Sequence, residues 1–143
     1  MDSEKNSCEK CVENSELVRK IYGYWPSFHD AEIVEFGVKL FKFEGRNIAN
    51  ATIKVCHSGQ DDPKWVQPGS ECVIEFVCVD ISNVEVGLND LPAGGWIDEI
   101  NISMKDDGQF EFDVRPSAGL DIKLSCASVS VAAIYAAGQT RFA

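Results

Sequence analysis

The chain has 143 residues, of which 45% are hydrophobic and 25% are charged, so it suits one globular domain and is not a disordered chain. Twenty-three Asp and Glu residues outnumber 13 Lys and Arg residues, which gives a formal net charge of −10. This balance argues against nucleic-acid binding and against adsorption to an anionic membrane, because both need a basic face.

The first 13 residues are polar, and we expect a flexible N-terminal segment over 1–13 that precedes a single domain over 14–143. They lack the basic and then apolar layout of a signal peptide, so we expect a cytoplasmic protein with reduced cysteines. Cys8 and Cys11 form a lone CxxC pair, whereas a structural zinc site needs four ligands. We therefore predict no metal and no cofactor, and interpret this pair as surface thiols.

A short helix is predicted after Asn14 and Ser15, either of which can cap its first turn. Apolar residues follow at helical spacing up to Tyr22, and Gly23 provides a stop. After Asp30 the apolar residues alternate at a period of two, which is typical of half-buried strands. Eight strands are predicted, at about residues 34–40, 51–55, 72–79, 84–88, 100–104, 110–115, 120–126 and 129–135.

Short connections between most of these strands indicate antiparallel β structure. The stretch 72–79 is apolar on both faces and predicts a central strand, whereas 57–70 and 91–95 are expected to be exposed loops and 116–119 a turn. We therefore predict a mainly β (α+β) fold. It is an antiparallel curved sheet or a two-layer β-sandwich of about eight strands, with the short N-terminal helix covering an open edge or face.

The segment between the helix and the first strand is dense in aromatic and ionisable residues. A histidine beside a carboxylate can act as a general base, but neighbours on an extended chain point to opposite sides, so we expect no His29–Asp30 dyad. We interpret the segment as structural, with a hydrolase that uses these two residues as a lesser alternative. Its members are Trp25, Pro26, Ser27, Phe28, His29 and Asp30.

Residues 25–31, Trp-Pro-Ser-Phe-His-Asp-Ala, resemble the opening motif of the immunity 50 family, small bacterial proteins associated with polymorphic toxin systems. The outline of the later strands is similar as well. This resemblance implies a β-rich, non-enzymatic protein that binds and neutralises a cognate toxin made by the same cell. It brings no catalytic residues and no map of the contacts with the toxin.

The acidic charge fits a basic toxin domain, because opposite net charges speed encounter. We expect a monomer or a weak homodimer, with no nucleic-acid or membrane partner. The alternative is a stand-alone small-ligand-binding or scaffold domain without catalytic activity, with a pocket lined by Trp25, Phe28 and His29. The candidate partner-binding residues lie on the two exposed loops and are Asp61, Asp62, Trp65, Asp90 and Trp96.

Overall fold

The computed structural model describes residues 9–59 and 71–138 of the chain. Within these ranges no helix is long and apolar enough to cross a membrane. Short 3-10 turns lie at Glu9–Cys11 and Leu91–Ala93. The regular elements are α1 (Glu16–Tyr22) and the strands β1 (Val12–Glu13), β2 (Glu32–Phe43), β3 (Arg46–His57), β4 (Cys72–Val79), β5 (Asn83–Leu88), β6 (Trp96–Met104), β7 (Phe110–Ala118), β8 (Leu120–Cys126) and β9 (Ser128–Ala136).

The nine strands of the described ranges form one open, mixed sheet in the order β1-β9-β4-β3-β2-β6-β7-β8-β5. Neighbouring strands are antiparallel except for β1 and β9, which are parallel. Strand β4 lies between β3 and β9, so the central position predicted for residues 72–79 is confirmed. The prediction of a mainly β fold with a curved sheet and a short N-terminal helix is confirmed as well.

The sheet curves so that its two halves enclose one hydrophobic core. Phe76 of β4 and Phe112 of β7 pack edge to face with ring centroids 5.4 Å apart, although three strands lie between β4 and β7 in the sheet order. The thiols of Cys78 on β4 and Cys126 on β8 hydrogen-bond across the same core, and both residues are fully buried. Their burial agrees with their position in alternating apolar patterns, whereas Cys72 is only partly buried.

The ordered fold begins earlier than we predicted. Cys8 lies outside the described residues, but Glu9–Cys11 form a turn and Val12 pairs with Val129 of β9. Val12 belongs to the core, since 4% of its surface is exposed. The buried side chain of Val12 and the two residue pairs between β1 and β9 hold this part of the chain in the fold, although its polar composition predicts a flexible segment.

Strands β2 and β3 form a hairpin that is longer than the two predicted strands. They run 12 residues each and are joined by the two-residue turn Glu44-Gly45. Both turn residues have positive φ, 50° and 78°, as a type I′ turn requires. The distal half of this hairpin extends beyond the core, and its strand residues Lys39–Asn47 are exposed.

The turn predicted at 116–119 is wrong. Strand β7 continues through Pro116 to Ala118, and Gly119 separates it from β8. Proline is tolerated there because the β7–β8 pairs end at Val114, so β8 does not need its missing N–H group. The loop predicted from His57 is also shorter at its start, since His57 ends β3 and is buried.

Candidate functional site

The segment 25–31 links α1 to β2 and is bound to the start of β6. The Asp30 N–H donates to the Ile97 carbonyl at 2.9 Å, and the Ile97 N–H donates to the Ala31 carbonyl at 2.9 Å. Phe28 and Asp30 adopt positive φ angles of 69° and 67°, so the backbone turns sharply at both residues instead of extending. Such angles are uncommon for non-glycine residues, and the surrounding contacts hold them in place.

Phe28 is the core contact of this segment. Its ring is fully buried and packs against His57, Phe76 and Trp25, with centroid distances of 5.2, 5.8 and 5.9 Å. The alternative of a small-ligand domain expected an open pocket lined by Trp25, Phe28 and His29. The structure corrects this expectation, because Phe28 is part of the packed core and cannot line an open pocket.

His29 lies on the surface beside two carboxylates. Its Nδ1 is 3.0 Å from the carbonyl oxygen of Asp98, and its Nε2 is 3.7 Å from Oδ1 of Asp30. We had expected the His29 and Asp30 side chains to point apart, but the turn at Asp30 brings them together. The hydrogen bond to the Asp98 carbonyl, followed by the charge of Asp30, raises the pKa of His29 above its ordinary value.

A surface ion network extends from His29 along β6 and β7. Asp98 lies 3.4 Å from His29 Nδ1 and 4.0 Å from Arg115, which also approaches Glu99 at 3.7 Å. The arrangement can hold a proton on the imidazole and orient the carboxylates. Over residues 9–59 and 71–138, no group of three or more His, Cys, Asp or Glu side chains is arranged to hold a metal ion.

A cleft of about 560 Å³ lies between the first half of β2 and the end of β5. Its walls come from four places in the chain, namely β2, β5, the loop before β6 and the start of β8. Most of the lining side chains are apolar, and the carboxylates of Glu32 and Glu35 are also present. The lining residues are Glu32–Phe36, Leu88, Leu91, Gly94, Gly95 and Leu120.

The cleft exists because the antiparallel strands β2 and β6 overlap only at their first residues. The two strands share the pair Glu32–Trp96, and the Ile33 N–H donates to the Gly95 carbonyl at 2.7 Å. The β2 register shifts between Ile33 and Glu35, and β6 is irregular around Ile97. Such bulges bend a strand and increase its twist. Because β2 runs from Glu32 past the start of β6, its residues after Ile33 face the loop before β6 and the end of β5.

Exposed apolar side chains are concentrated on the two strands and the loop that line this cleft. Ten of the twelve large hydrophobic residues exposed in the described ranges lie on β2, on β5 or on the loop that ends at Trp96. Leu40 and Leu88 are the most exposed of them, at 78% and 62%. The ten are Val34, Val38, Leu40, Phe41, Phe43, Val84, Val86, Leu88, Leu91 and Trp96. Concentration on this scale is typical of a binding surface.

Carboxylates surround the same region. Glu32 and Glu35 line the cleft, and Asp90 precedes the Leu91–Ala93 turn beside it. Among the described residues, Glu32 and Asp90 form no ion pair with Lys or Arg, whereas Glu35 lies 3.2 Å from Lys54. The cleft therefore combines an apolar lining with negative charge that the described lysines and arginines leave uncompensated.

The candidate partner-binding residues fall into two groups. Asp61, Asp62 and Trp65 lie outside the described residues. Asp90 and Trp96 flank the loop that lines the cleft, and both are exposed. The Trp96 indole N–H donates to the Ala93 carbonyl at 2.9 Å, which fixes the ring beside this loop.

Sequence reasoning missed the apolar residues of β2 and β5 as surface candidates. Val86 and Val38 alternate with polar neighbours in the same way as residues of a buried strand face. Their cross-strand partners, Ile122 and Ala51, are indeed fully buried, so all four lie on the core side of the sheet. Alternation with a period of two shows which side chains share one face of a strand. It does not show whether the opposite half of the sheet covers that face.

The comparisons with known proteins agree with the motif. The family model described as Immunity protein 50 matches residues 14–136, which is most of the chain. The matched region contains the whole 25–31 segment and all strands from β2 to β9. No curated protein and no solved structure matches the chain.

Proposed function

Since this chain belongs to the immunity protein 50 family, we propose that it binds a cognate bacterial toxin domain and neutralises it by direct protein–protein contact. The family match carries this proposal, because membership implies an immunity role. The protein acts by binding to the toxin domain and performs no catalysis. We place this encounter in the cytoplasm of the cell that makes both proteins.

We propose the cleft and its apolar surroundings as the toxin-binding surface. The exposed residues of β2, β5 and the 91–96 loop supply apolar area near the centre, and the indole of Trp96 supplies an aromatic anchor. Interfaces of this kind typically derive most of their affinity from a few buried aromatic or aliphatic contacts. We keep Asp61, Asp62 and Trp65, which lie outside the described residues, as proposed contacts, together with Asp90 beside the cleft.

The charge of the surface indicates a basic toxin domain. The whole chain carries a formal charge of −10, and the carboxylates of Glu32 and Asp90 beside the cleft form no ion pair with a described Lys or Arg. A nuclease domain, which must attract phosphate, fits this requirement. Charge complementarity mainly accelerates association, whereas the apolar contacts determine how long the complex lasts.

A small ligand is the second candidate occupant of the same cleft. Its volume of about 560 Å³ falls within the usual range for small-molecule sites. This alternative now rests on the cleft beside β5 instead of on the packed residues Trp25 and Phe28. This alternative predicts that the purified chain binds metabolites but does not protect cells from any toxin.

The test begins with the tagged chain in lysate of its native host, and the captured toxin domain is then produced separately. Growth of cells that express this toxin domain, with and without the chain, measures neutralisation directly. Binding of the purified pair gives the dissociation constant. Failure of the wild-type chain both to bind the domain and to restore growth would exclude the proposed function for that toxin.

A matched pair of variants tests the location of the surface. Leu91 lines the cleft and Ile21 lies on α1, which packs against β9; the two side chains are almost equally exposed, at 51% and 50%. We expect Leu91→Lys to raise the dissociation constant by at least about tenfold, because a lysine is buried in an apolar interface. Ile21→Lys should leave it unchanged. Equal affinities for both variants would place the toxin elsewhere.

A further inference from the structure

Strand β2 presents an unpaired backbone edge to the cleft. The two-residue turn makes Phe43 and Arg46 a hydrogen-bonded pair, and such pairs alternate along antiparallel strands. The N–H and C=O groups that point away from β3 therefore belong to Phe36, Val38, Leu40 and Lys42. In the described part of the chain, β2 is paired on that side with β6 at Glu32 alone.

Strand β5 presents a second unpaired edge. It ends the sheet and pairs with β8 on one side only. The Asn89 N–H donates to the Gly119 carbonyl, so the hydrogen-bonded pairs toward β8 include Gly87 and Glu85. The backbone groups of Val84, Val86 and Leu88 consequently point toward the free edge.

The same residues that carry free backbone groups also carry the exposed, core-side apolar side chains. Val38 lies opposite the buried Ala51, and Val86 lies opposite the buried Ile122. Near Val34 and Leu88 the two strands line one cleft. An added strand here would gain backbone hydrogen bonds and would bury apolar side chains at the same time.

The charges around the cleft favour a basic partner over a second copy of this chain. Glu32 and Asp90 stand at the end of the cleft near Gly95, whereas Lys42 lies at the opposite, hairpin end. A second copy of this chain would bring a further net charge of −10 to this surface, which like-charge repulsion opposes. A basic partner gains attraction from the same carboxylates.

We infer that the cognate toxin adds one extended segment to the free edge of β2, between β2 and β5. The segment places alternate apolar side chains on Phe36, Val38 and Leu40, and a basic side chain at the Glu32 end. This inference rests on the proposed function, since it specifies how the toxin occupies the cleft. Strand addition supplies backbone hydrogen bonds, and the alternate side chains supply specificity.

Amide exchange of the wild-type chain tests the inference without any substitution. The toxin domain captured by the tagged chain, in a catalytically inactive form, is added to the full chain, and exchange is followed residue by residue by NMR. The amides of Phe36, Val38 and Leu40 should exchange at least about tenfold more slowly in the complex. The amides of Lys39 and Phe41 already bond to β3 and serve as internal controls.

A pair of variants at one position tests the backbone contribution separately. Val38→Pro removes a free-edge N–H without removing a β2–β3 hydrogen bond, and Val38→Ala shortens the side chain but keeps the N–H. We expect Val38→Pro to raise the dissociation constant for the toxin domain about tenfold more than Val38→Ala does. Thermal unfolding of both variants verifies that each remains folded.

Four outcomes separate the hypotheses. Slowed edge amides together with a selective effect of Val38→Pro support strand addition. Tight binding with unchanged exchange at β2 overturns strand addition but leaves toxin binding in place. No binding of the toxin domain by the wild-type chain overturns both. Protection of the edge that appears without toxin, rises with protein concentration and accompanies a dimeric mass assigns the cleft to a second copy instead.

Discussion

The rings of Phe28 and Phe76 pack edge to face, with centroids 5.8 Å apart and an interplanar angle of 82°. Phe28 sits at a left-handed kink of the backbone, and Phe76 lies on a central strand. This contact joins the 25–31 segment to the core that both halves of the sheet share. The position at which β2 begins, and hence the cleft beside it, depends on this attachment.

Removal of the Phe28 ring should destabilise the whole domain. We expect Phe28→Ala to lower the free energy of unfolding by about 3–5 kcal/mol, because a fully buried aromatic side chain is replaced by a cavity. Phe43→Ala, on the exposed half of the hairpin, should cost less than about 1 kcal/mol. Urea unfolding measures both variants, and a similar loss for the two would contradict the role of Phe28 in the core.

A methyl group at Gly119 should be poorly tolerated. Its φ is +91°, and a Cβ there would lie 1.9 Å from the carbonyl oxygen of Gly94, which lines the cleft. We expect Gly119→Ala to cost at least about 2 kcal/mol, because both the backbone angle and the contact become strained. Apart from its chain neighbours, a Cβ at Gly37 would have no atom of the described residues within 4 Å. Gly37→Ala should therefore change the free energy of unfolding by less than about 0.5 kcal/mol. Thermal unfolding measures both variants. Equal shifts of the two melting temperatures would be evidence against this close approach.

His29 should contribute a pH-dependent part of stability. Its pKa in the folded chain is raised by the Asp98 carbonyl and by Asp30, so the protonated form is favoured by folding. The stabilisation is complete below the unfolded value of about 6.5 and is lost as pH rises through the higher folded pKa. The contribution is small because the side chain is half-exposed.

The measurement is a difference between two proteins. The melting temperature of the wild-type chain should exceed that of His29→Gln at about pH 5.5, and this gap should narrow toward about pH 8.5. Other titrating groups change both proteins alike and cancel in the difference. A gap that stays constant over this interval would show that the pKa of His29 is not coupled to folding.

Charge at the cleft should control how fast the toxin arrives. We expect Asp90→Asn to slow association about threefold at low salt and to flatten its salt dependence, because one steering carboxylate is lost. Asparagine tolerates the positive φ of 51° at this position, so the fold should persist. Asp106→Asn, beyond the far end of β6, is the control. Stopped-flow mixing at several salt concentrations gives both rates, and identical salt slopes for the two variants would remove Asp90 from the interface.

Local patterns in the sequence were enough to identify most elements of the fold. Apolar alternation identified the strands, and Gly23 identified the end of α1, whose C-cap indeed adopts a left-handed conformation. The residues 25–31 were enough to identify the family, because seven consecutive side chains form a specific signature. Patterns of this kind extend over a few residues, so they can be recognised without knowledge of the fold.

Other features arose only from contacts between distant parts of the chain. The order of strands, the kink that turns His29 toward Asp30, and the short overlap of β2 with β6 each depend on pairing across long sequence distances. Val86 on β5 follows the same alternation as a buried strand residue, yet it is exposed because the sheet stays open beside it. Local sequence patterns establish which side chains share a face and which family the chain resembles. Which of those faces stays uncovered follows from the folded arrangement of the strands, because burial depends on what the rest of the chain places opposite each face.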